Sequence, residues 1–400
     1  MAASTTGSPA SPFHAEIRLI LTAALALFAY TVVVGILNGL DLVDFEHKVL
    51  LAHVHIGTLG WITMAVFAGS LALFGTSENR TPWLIWTARL APLVAALYNV
   101  AFMTTTSVAR PVLGTAMAIV IVVMAAWGFS QARGRTLSVP HLGLLAGLAT
   151  SIVGAGLGVL LGLRVSSPDL NITERVGEAH PATMVIGFLV PVGMAFAEWV
   201  MRPESANERA SRLGWLQIGL PFIGGIAVML GILLDVLALV MLSLPFEIAG
   251  LAIFLWRIVP VARRVSWTAP SAGRHGVVAA IFLTANIAIF VYLISNYAED
   301  FDATPLRLLL ALDHSIFVGV LTMSVVGFIS TVNRTPRPPV IDHAVFGGMT
   351  LGAALFIAGL LADQDVLIRT GTPLLGAGLL LAIAVHVAGL LSGRGSAAAR

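Results

Sequence analysis

The sequence predicts an all-α integral membrane protein with twelve transmembrane helices, and three observations support this fold class. The chain has 400 residues, of which 58% are hydrophobic and only 10% are charged, whereas soluble globular domains average about 25% charged residues. Apolar runs of about 20 residues, the length that crosses a bilayer, recur along the chain. The segments between these runs are short, so consecutive helices are expected to pack antiparallel in one bundle.

The twelve predicted spans follow one another without room for a soluble domain. They cover residues 16–39, 49–75, 83–107, 111–131, 140–163, 180–201, 214–234, 237–261, 276–297, 305–331, 343–362 and 367–391. Residues 1–15 are small and polar and include proline, so they are predicted to form a disordered tail. Residues 16–392 form the single predicted membrane domain, and residues 393–400 form a second tail.

Basic residues are concentrated on one side of the predicted membrane. Most arginines fall in loops on the same side as the N-terminus, which the positive-inside rule assigns to the cytoplasm. Arginine far outnumbers lysine (Lys48 is the only lysine), which indicates a GC-rich bacterial genome and hence a bacterial cytoplasmic membrane, with membrane lipid as a partner. No clustered basic stripe is present, so no nucleic-acid partner is expected. The absence of cysteine excludes thiolate metal ligands.

Two segments repeat one pattern, in which a histidine precedes a motif of small residues. The copies are His55-x4-Gly60-x2-Thr63-Met64-x-Val66 and His314-x4-Gly319-x2-Thr322-Met323-x-Val325, which lie 259 residues apart (314 − 55 = 259). They fall on spans 2 and 10, and His180 opens predicted span 6. Spans 2, 6 and 10 are the second helices of three successive four-helix units, so the spacing predicts a threefold pseudo-repeat. The middle unit matches the pattern only loosely and in a different register.

Imidazole groups inside membrane helices indicate a functional site. Matching positions in two repeats predict one site with pseudo-symmetric ligands, and proteins commonly hold heme iron through axial histidine. His53 and His55 lie two residues apart and point about 200° apart on a helix, so they cannot both bind one iron. His55 shares the register of His314 and is the favoured partner. His53 is expected to face another helix, a second metal or the heme edge, and a hydrogen bond to a neighbouring helix is the structural alternative for each histidine.

His180 has two equally open interpretations. It precedes Pro181 at the predicted water interface, where a histidine serves either as an ordinary cap or as a metal ligand. Met184 lies one turn deeper, and a histidine–methionine pair would suit copper, although methionine usually only packs. His386, deep in span 12, is predicted to be structural.

Two carboxylates lie at membrane depth, where they are costly. Asp313 precedes His314, and Glu247 lies near the middle of span 8. Both are predicted to handle protons, or else to be paired. Arg369, in the outer loop before span 12, is predicted to pair with heme propionates through charge-assisted hydrogen bonds. Arg110, Arg164 and Arg175 are alternatives to Arg369, and all four also suit a purely topological role.

The chain resembles subunit I of heme-copper oxidases and nitric oxide reductases in its twelve spans, its inside N-terminus and its histidines on helices 2, 6 and 10. In that family helices 2 and 10 supply the axial histidines of a low-spin heme, which implies His55 (or His53) and His314 here. His180-Pro181 resembles the family's copper-ligand position. Span 7 has no histidine and span 10 has one where the family has two, so the standard oxygen-reducing copper site is incomplete. If the protein is an enzyme, the resemblance implies an oxidoreductase.

The chain also resembles the NnrS family of twelve-helix membrane proteins that contain heme and copper. The matching motifs are His53-x-His55 followed by Gly60-Trp61, and His314-x4-Gly319-x2-Thr322-Met323 leading to a basic loop at Arg334. Together the two resemblances imply heme b, possible copper, nitric oxide as a small gas ligand, and a cytochrome or quinol as electron donor. The expected function is therefore the handling of nitric oxide or of electrons by a heme held between helices 2 and 10.

Two other functions remain open on the sequence. Twelve helices are also common in secondary transporters, which are expected to show two-fold or inverted repeats and broken helices at the midplane. The second alternative is an accessory subunit of a respiratory complex, in which case the membrane histidines would be vestigial. Copurifying partners would reveal that role.

Overall fold

The protein is a bundle of twelve long apolar helices, as seen in a computed structural model that describes residues 11–300, 303–333 and 337–392. The helices are α1 (His14–Gly39), α2 (His47–Phe74), α3 (Pro82–Thr104), α4 (Ala109–Ala132), α5 (Val139–Ser166), α6 (Arg175–Met201), α7 (Arg212–Leu234), α8 (Leu237–Ala262), α9 (Ala272–Tyr297), α10 (Leu306–Val332), α11 (Pro339–Ala362) and α12 (Asp365–Ser392). Each is long and apolar enough to cross a membrane. The predicted fold class, an all-α protein with twelve membrane spans, is confirmed.

The helix ends agree with the predicted spans to within a few residues, with α6 as the largest difference. This helix begins at Arg175, so His180 lies inside it and does not open it. At the N-terminal end, α1 begins at His14, and Phe13 is fully buried with its ring edge against Trp127, 6.1 Å between ring centres. The last residues of the predicted 1–15 tail therefore belong to the bundle. Residues 1–10 and the predicted tail 393–400 lie outside the described residues.

The centre of the bundle is formed by α2, α6 and α10. An 18-residue apolar stretch is 83% buried in α2, 83% in α6 and 72% in α10, against 28–67% in the other nine helices. Each of the three central helices contains a π-helical turn, an uncommon feature that is frequent at functional sites. The turns are Ile56–Thr63, Thr183–Leu189 and Ser315–Thr322.

The three π-helical turns define a common register for the four-helix units. The turn in α6 begins 127 residues after the turn in α2 (183 − 56 = 127), and the same offset aligns Gly60 with Gly187 and His53 with His180. The turn in α10 begins 259 residues after the turn in α2 (315 − 56 = 259), the offset that aligns His55 with His314. The middle unit is therefore in register with the others, provided that His180 is matched to His53.

The outer surface of the bundle has the character of a membrane protein. Five of the eight tryptophans are exposed, and all five lie at the end that the arginine distribution assigns to the inside. Tryptophan is enriched at membrane–water interfaces. The five are Trp83, Trp86, Trp215, Trp256 and Trp267.

Buried charges at the predicted inner end are neutralised by ion pairs. Glu16 on α1 accepts from Arg80 and Arg89, with 2.8 Å between Arg89 Nη2 and Glu16 Oε1. Glu198 on α6 forms a bidentate pair with Arg257 on α8, with both N–O distances at 2.7 Å. Such pairing is required for charges that are removed from water. These contacts tie the inner ends of neighbouring helices together.

Candidate functional site

Two histidine-lined cavities open on either side of α2. The first, here called the α2–α10 cavity, has a volume of about 440 Å³ and is lined by α1, α2, α10, α11 and α12. The second, the α2–α6 cavity, has a volume of about 430 Å³ and is lined by α2 to α6 with two residues of α10. Both volumes fall in the range of small-molecule and cofactor sites.

His53 and His314 line the α2–α10 cavity together. The Nδ1 atom of His314 lies 2.8 Å from the carbonyl oxygen of Leu310, one turn earlier in α10. A bond of this kind fixes ring orientation and leaves Nε2 as the nitrogen available to a ligand. His53 packs against Gly35 of α1, and its Nδ1 is buried with no hydrogen-bond partner among the described residues.

The inner wall of the α2–α10 cavity is built from the repeated motif. Trp61 is fully buried, stacks on Phe28 at 4.7 Å between ring centres, and donates its Nε1–H to Thr322 Oγ1 at 3.0 Å. This hydrogen bond joins the π-helical turns of α2 and α10. On the other side, Phe356 lies edge-on to His314, 4.9 Å between ring centres. The cavity is therefore a largely apolar slot with two imidazoles in its walls.

Arg369, the residue predicted to meet heme propionates, lines the same cavity near the outer ends of the helices. Its Nη2 lies 3.0 Å from Asp41 Oδ2, and both side chains are largely exposed. Exposed ion pairs of this type contribute little to stability. The guanidinium therefore has an acidic partner already but remains within reach of the cavity mouth.

His55 and His180 line the α2–α6 cavity. Their ring centres are 6.3 Å apart and their planes differ by 12°. His55 Nδ1 lies 2.7 Å from the Leu51 carbonyl oxygen, and His180 Nδ1 lies 3.0 Å from the Gly154 carbonyl oxygen. Each ring is thus held through Nδ1, and neither Nε2 has a hydrogen-bond partner in the described part of the chain.

Arg110 provides a buried positive charge in the α2–α6 cavity. The residue is only 8% exposed and forms no ion pair with a described acidic residue. Its Nη2 donates to the Phe102 carbonyl oxygen at 2.5 Å, its guanidinium lies 4.3 Å from the centre of the Phe102 ring, and its Nε has no partner among the described residues. By contrast, Arg164 and Arg175, the other sequence candidates, are paired with Glu174 and Asp235.

The two cavities share a wall. Val54, Asp313 and Phe317 line both of them. Asp313 therefore lies between His314 on one side and the His55–His180 pair on the other. The sequence predicts proton handling for Asp313 next to His314, and the structure places this residue at the border of two cavities.

The pairing of histidines differs from the prediction. The sequence favours His55 as the partner of His314, because the two share a register, and leaves His53 as the alternative. His55 lines only the α2–α6 cavity, whereas His314 lines the α2–α10 cavity together with His53. The physical reason is that equivalent residues of repeated units face equivalent cavities, and these are different cavities in one bundle. The second histidine of each cavity comes from the next unit. His180 shares a cavity with His55, and His53 shares a cavity with His314.

Glu247 lies apart from both cavities. It is fully buried on α8 against Gly224 of α7, and neither carboxylate oxygen has a hydrogen-bond partner among the described residues. The structure therefore does not bring Glu247 together with Asp313, the other carboxylate proposed for proton handling.

A polar cluster at the predicted inner end was not anticipated from the sequence. Arg274 is fully buried and bonds Asp342 and His343, with 2.7 Å between Arg274 Nη1 and His343 Nδ1. Arg337 Nη1 lies 3.3 Å from His386 Nε2, which gives His386 a structural contact. Burial lowers the pKa of Arg337, and nearby Asp342 opposes that effect. The signal in the sequence was weak because arginines in inner loops normally serve topology.

Among the described residues, no three histidine, cysteine, aspartate or glutamate side chains converge as a metal site. Copper, which the resemblance implies, therefore stays a prediction, and Arg334 of the NnrS-like motif lies outside the described residues. The sequence matches no protein family model. No curated protein is significantly similar to it either.

Proposed function

We propose that this protein is a heme-binding integral membrane protein that carries electrons, with heme b held between His53 of α2 and His314 of α10. The observation that carries the proposal is that two imidazoles from neighbouring helices face one cavity of about 440 Å³. The resemblance to heme-copper oxidases, in which helices 2 and 10 hold a low-spin heme, supports the same pair.

The number of ligands favours heme over a bare metal ion. Structural and catalytic zinc sites use three or four protein ligands, and the described residues offer only two imidazoles in this cavity. A porphyrin would supply its own nitrogen ligands, so the side chains of His53 and His314 would suffice to hold it. The Nδ1 of His314 is bonded to a carbonyl and leaves Nε2 for such a role, whereas the Nδ1 of His53 is itself without a partner among the described residues.

The chain's own residues would set the properties of the bound group. Heme supplies a one-electron redox centre when bound. Trp61 and Phe28 exclude water from the inner side of the cavity, and the Leu310 carbonyl orients His314. Arg369 lies at the outer mouth, where propionates would meet solvent. Because two histidines would hold the group, we propose that it serves electron transfer and not the binding of a gas.

The threefold plan of the bundle gives no specific support to a transporter. The repeat relates three four-helix units in the same orientation, and the central helices carry π-helical turns where a transporter is expected to have broken helices. The proposed location is the bacterial cytoplasmic membrane, and the proposed electron donor is a quinol or a cytochrome in that membrane.

The test is a dithionite-reduced minus oxidised visible spectrum of detergent-purified protein made in heme-replete cells. We expect sharp bands of a six-coordinate b-type heme that weaken in His53→Ala and in His314→Ala. His47→Ala is the matched control, because His47 is exposed at the start of α2 and lines neither cavity. A flat spectrum from folded wild-type protein would overturn the proposal.

A further inference from the structure

We infer that a second heme binds in the α2–α6 cavity, with His55 and His180 as its two axial ligands. The inference rests on the proposed function only for the identity of the cofactor. The site itself is defined by other residues, on helices 2 to 6.

The spacing of the two rings suits a metal between them. Metal–imidazole bonds are about 2 Å long, and the centre of an imidazole lies roughly 1 Å behind the bonding nitrogen, so two imidazoles on opposite sides of one metal have centres about 6 Å apart. The observed separation of His55 and His180 is 6.3 Å. No hydrogen bond joins the two rings, so direct bonding between them does not account for their position.

Both rings are oriented as metal ligands usually are. Histidines that bind metals commonly donate the other ring N–H to a backbone carbonyl or a carboxylate, which fixes the tautomer. His55 Nδ1 meets the Leu51 carbonyl and His180 Nδ1 meets the Gly154 carbonyl. Nε2 is then the nitrogen left on each ring for the iron.

The cavity also has room and charge for a porphyrin. Gly154, Gly158 and Gly162 form one face of α5 that lines it, and a Cβ added at Gly158 would lie 3.2 Å from His180 Cε1. Arg110 is more than nine-tenths buried without an acidic partner among the described residues, which is costly for a cation. A propionate would neutralise it through charge-assisted hydrogen bonds.

The repeat register accounts for how the four histidines are distributed. One histidine of each cavity directly precedes a π-helical turn: His314 in the α2–α10 cavity and His55 in the α2–α6 cavity. The second histidine comes from the next four-helix unit and lies two residues earlier in the repeat register. It is His53 in the α2–α10 cavity and His180 in the α2–α6 cavity. At the third interface, between α6 and α10, the same two positions hold Ala182 and Leu312. The plan therefore provides two complete pairs and leaves the third interface without histidine.

The experiment is the number of hemes per chain, measured by pyridine hemochrome and quantitative amino-acid analysis of the purified protein. We expect two hemes per wild-type chain, one in His180→Ala, one in His53→Ala and none in the double variant. One heme per wild-type chain, lost in His53→Ala but kept in His180→Ala, overturns the second site and leaves the proposed function intact. One heme lost only in His180→Ala overturns the proposed site and keeps this one.

A second pair of variants keeps the inference testable if His180→Ala does not fold. His180→Met retains a ligand, and replacing axial histidine with methionine raises the potential of a heme, so one of two reduction waves should move upward while the other stays. Arg110→Met should shift that same wave. If the reduction potentials of both waves are unchanged in His180→Met, the inference is overturned. Metal analysis that finds copper in place of the second heme would also overturn it. His47→Ala serves again as the control.

Discussion

His55 and His314 occupy equivalent positions in two repeated helices, yet they line different cavities on opposite sides of α2. Each residue lies eight positions after the first residue of its helix (55 − 47 = 8; 314 − 306 = 8), and each directly precedes a π-helical turn. At 1.5 Å per residue both are about 12 Å deep. The two cavities therefore hold their histidines at matching depth in the outer half of the bundle.

Asp313 is predicted to couple protons to both sites. Asp313 lines both cavities, so Asp313→Asn should reduce the pH dependence of the reduction potentials of both proposed hemes. One proton per electron corresponds to a slope of about 59 mV per pH unit, and the variant should show a smaller slope than the wild type. Glu247→Gln, which lines neither cavity, is the control. Potentiometric titration at several pH values measures the effect, and an unchanged slope in Asp313→Asn would contradict it.

The hydrogen bond between Trp61 and Thr322 is predicted to stabilise the contact between α2 and α10. Trp61→Phe removes the Nε1–H donor and should lower the free energy of unfolding by about 1 kcal/mol, the usual net value of one hydrogen bond. Thr322→Val should cost more, because Thr322 also donates to the Phe317 carbonyl at 2.8 Å. A double-mutant cycle in detergent isolates the interaction free energy between Trp61 and Thr322. Fully additive losses would show that the bond contributes nothing.

Buried carboxylates are predicted to respond oppositely to substitution, depending on their partners. Glu247→Leu removes two unpartnered oxygens and should raise the free energy of unfolding by about 1 kcal/mol. Glu198→Leu leaves the partly buried Arg257 without its acidic partner, with only Gln217 as a side-chain acceptor among the described residues, and should lower the free energy of unfolding by about 3 kcal/mol. Thermal unfolding followed by size-exclusion chromatography compares the two. A destabilised Glu247→Leu variant would instead indicate a partner for this carboxylate outside the described residues.

Nitric oxide is predicted to bind the reduced wild-type protein slowly or not at all. Each proposed heme would be held by two histidines, so a gas would have to displace one of them before it binds. Visible spectra recorded after anaerobic addition of nitric oxide test this, with a five-coordinate globin as the positive control. Rapid and complete binding would mean that one imidazole is easily displaced, and would favour the nitric oxide function that the resemblance implies.

The sequence was sufficient to predict the architecture but not which histidines share a cavity. Long apolar runs determine where helices lie because a membrane offers few other structures, and the ends of eleven helices fell within a few residues of prediction. α6 began earlier because the polar stretch before His180, which includes Glu178, continues the helix outside the apolar run. The pairing of His53 with His314 depends on which units are neighbours in space. Periodicity within a single helix does not contain that information.

The π-helical turns also determine how each central helix would respond to the loss of a residue. A π-helical turn closes its hydrogen bonds five residues back where an α-helix closes them four back, so it accommodates one residue that a regular helix would not. Because the wide turn absorbs that residue locally, removing it from the turn in α2 would restore a regular helix whose outer and inner halves keep their relative orientation. His53 and His55 would then still face their cavities, while the packing within Ile56–Thr63 itself would change. A deletion of the same size in the regular helix between His55 and the start of α2 would not be absorbed, and would turn the residues beyond it by about 100°.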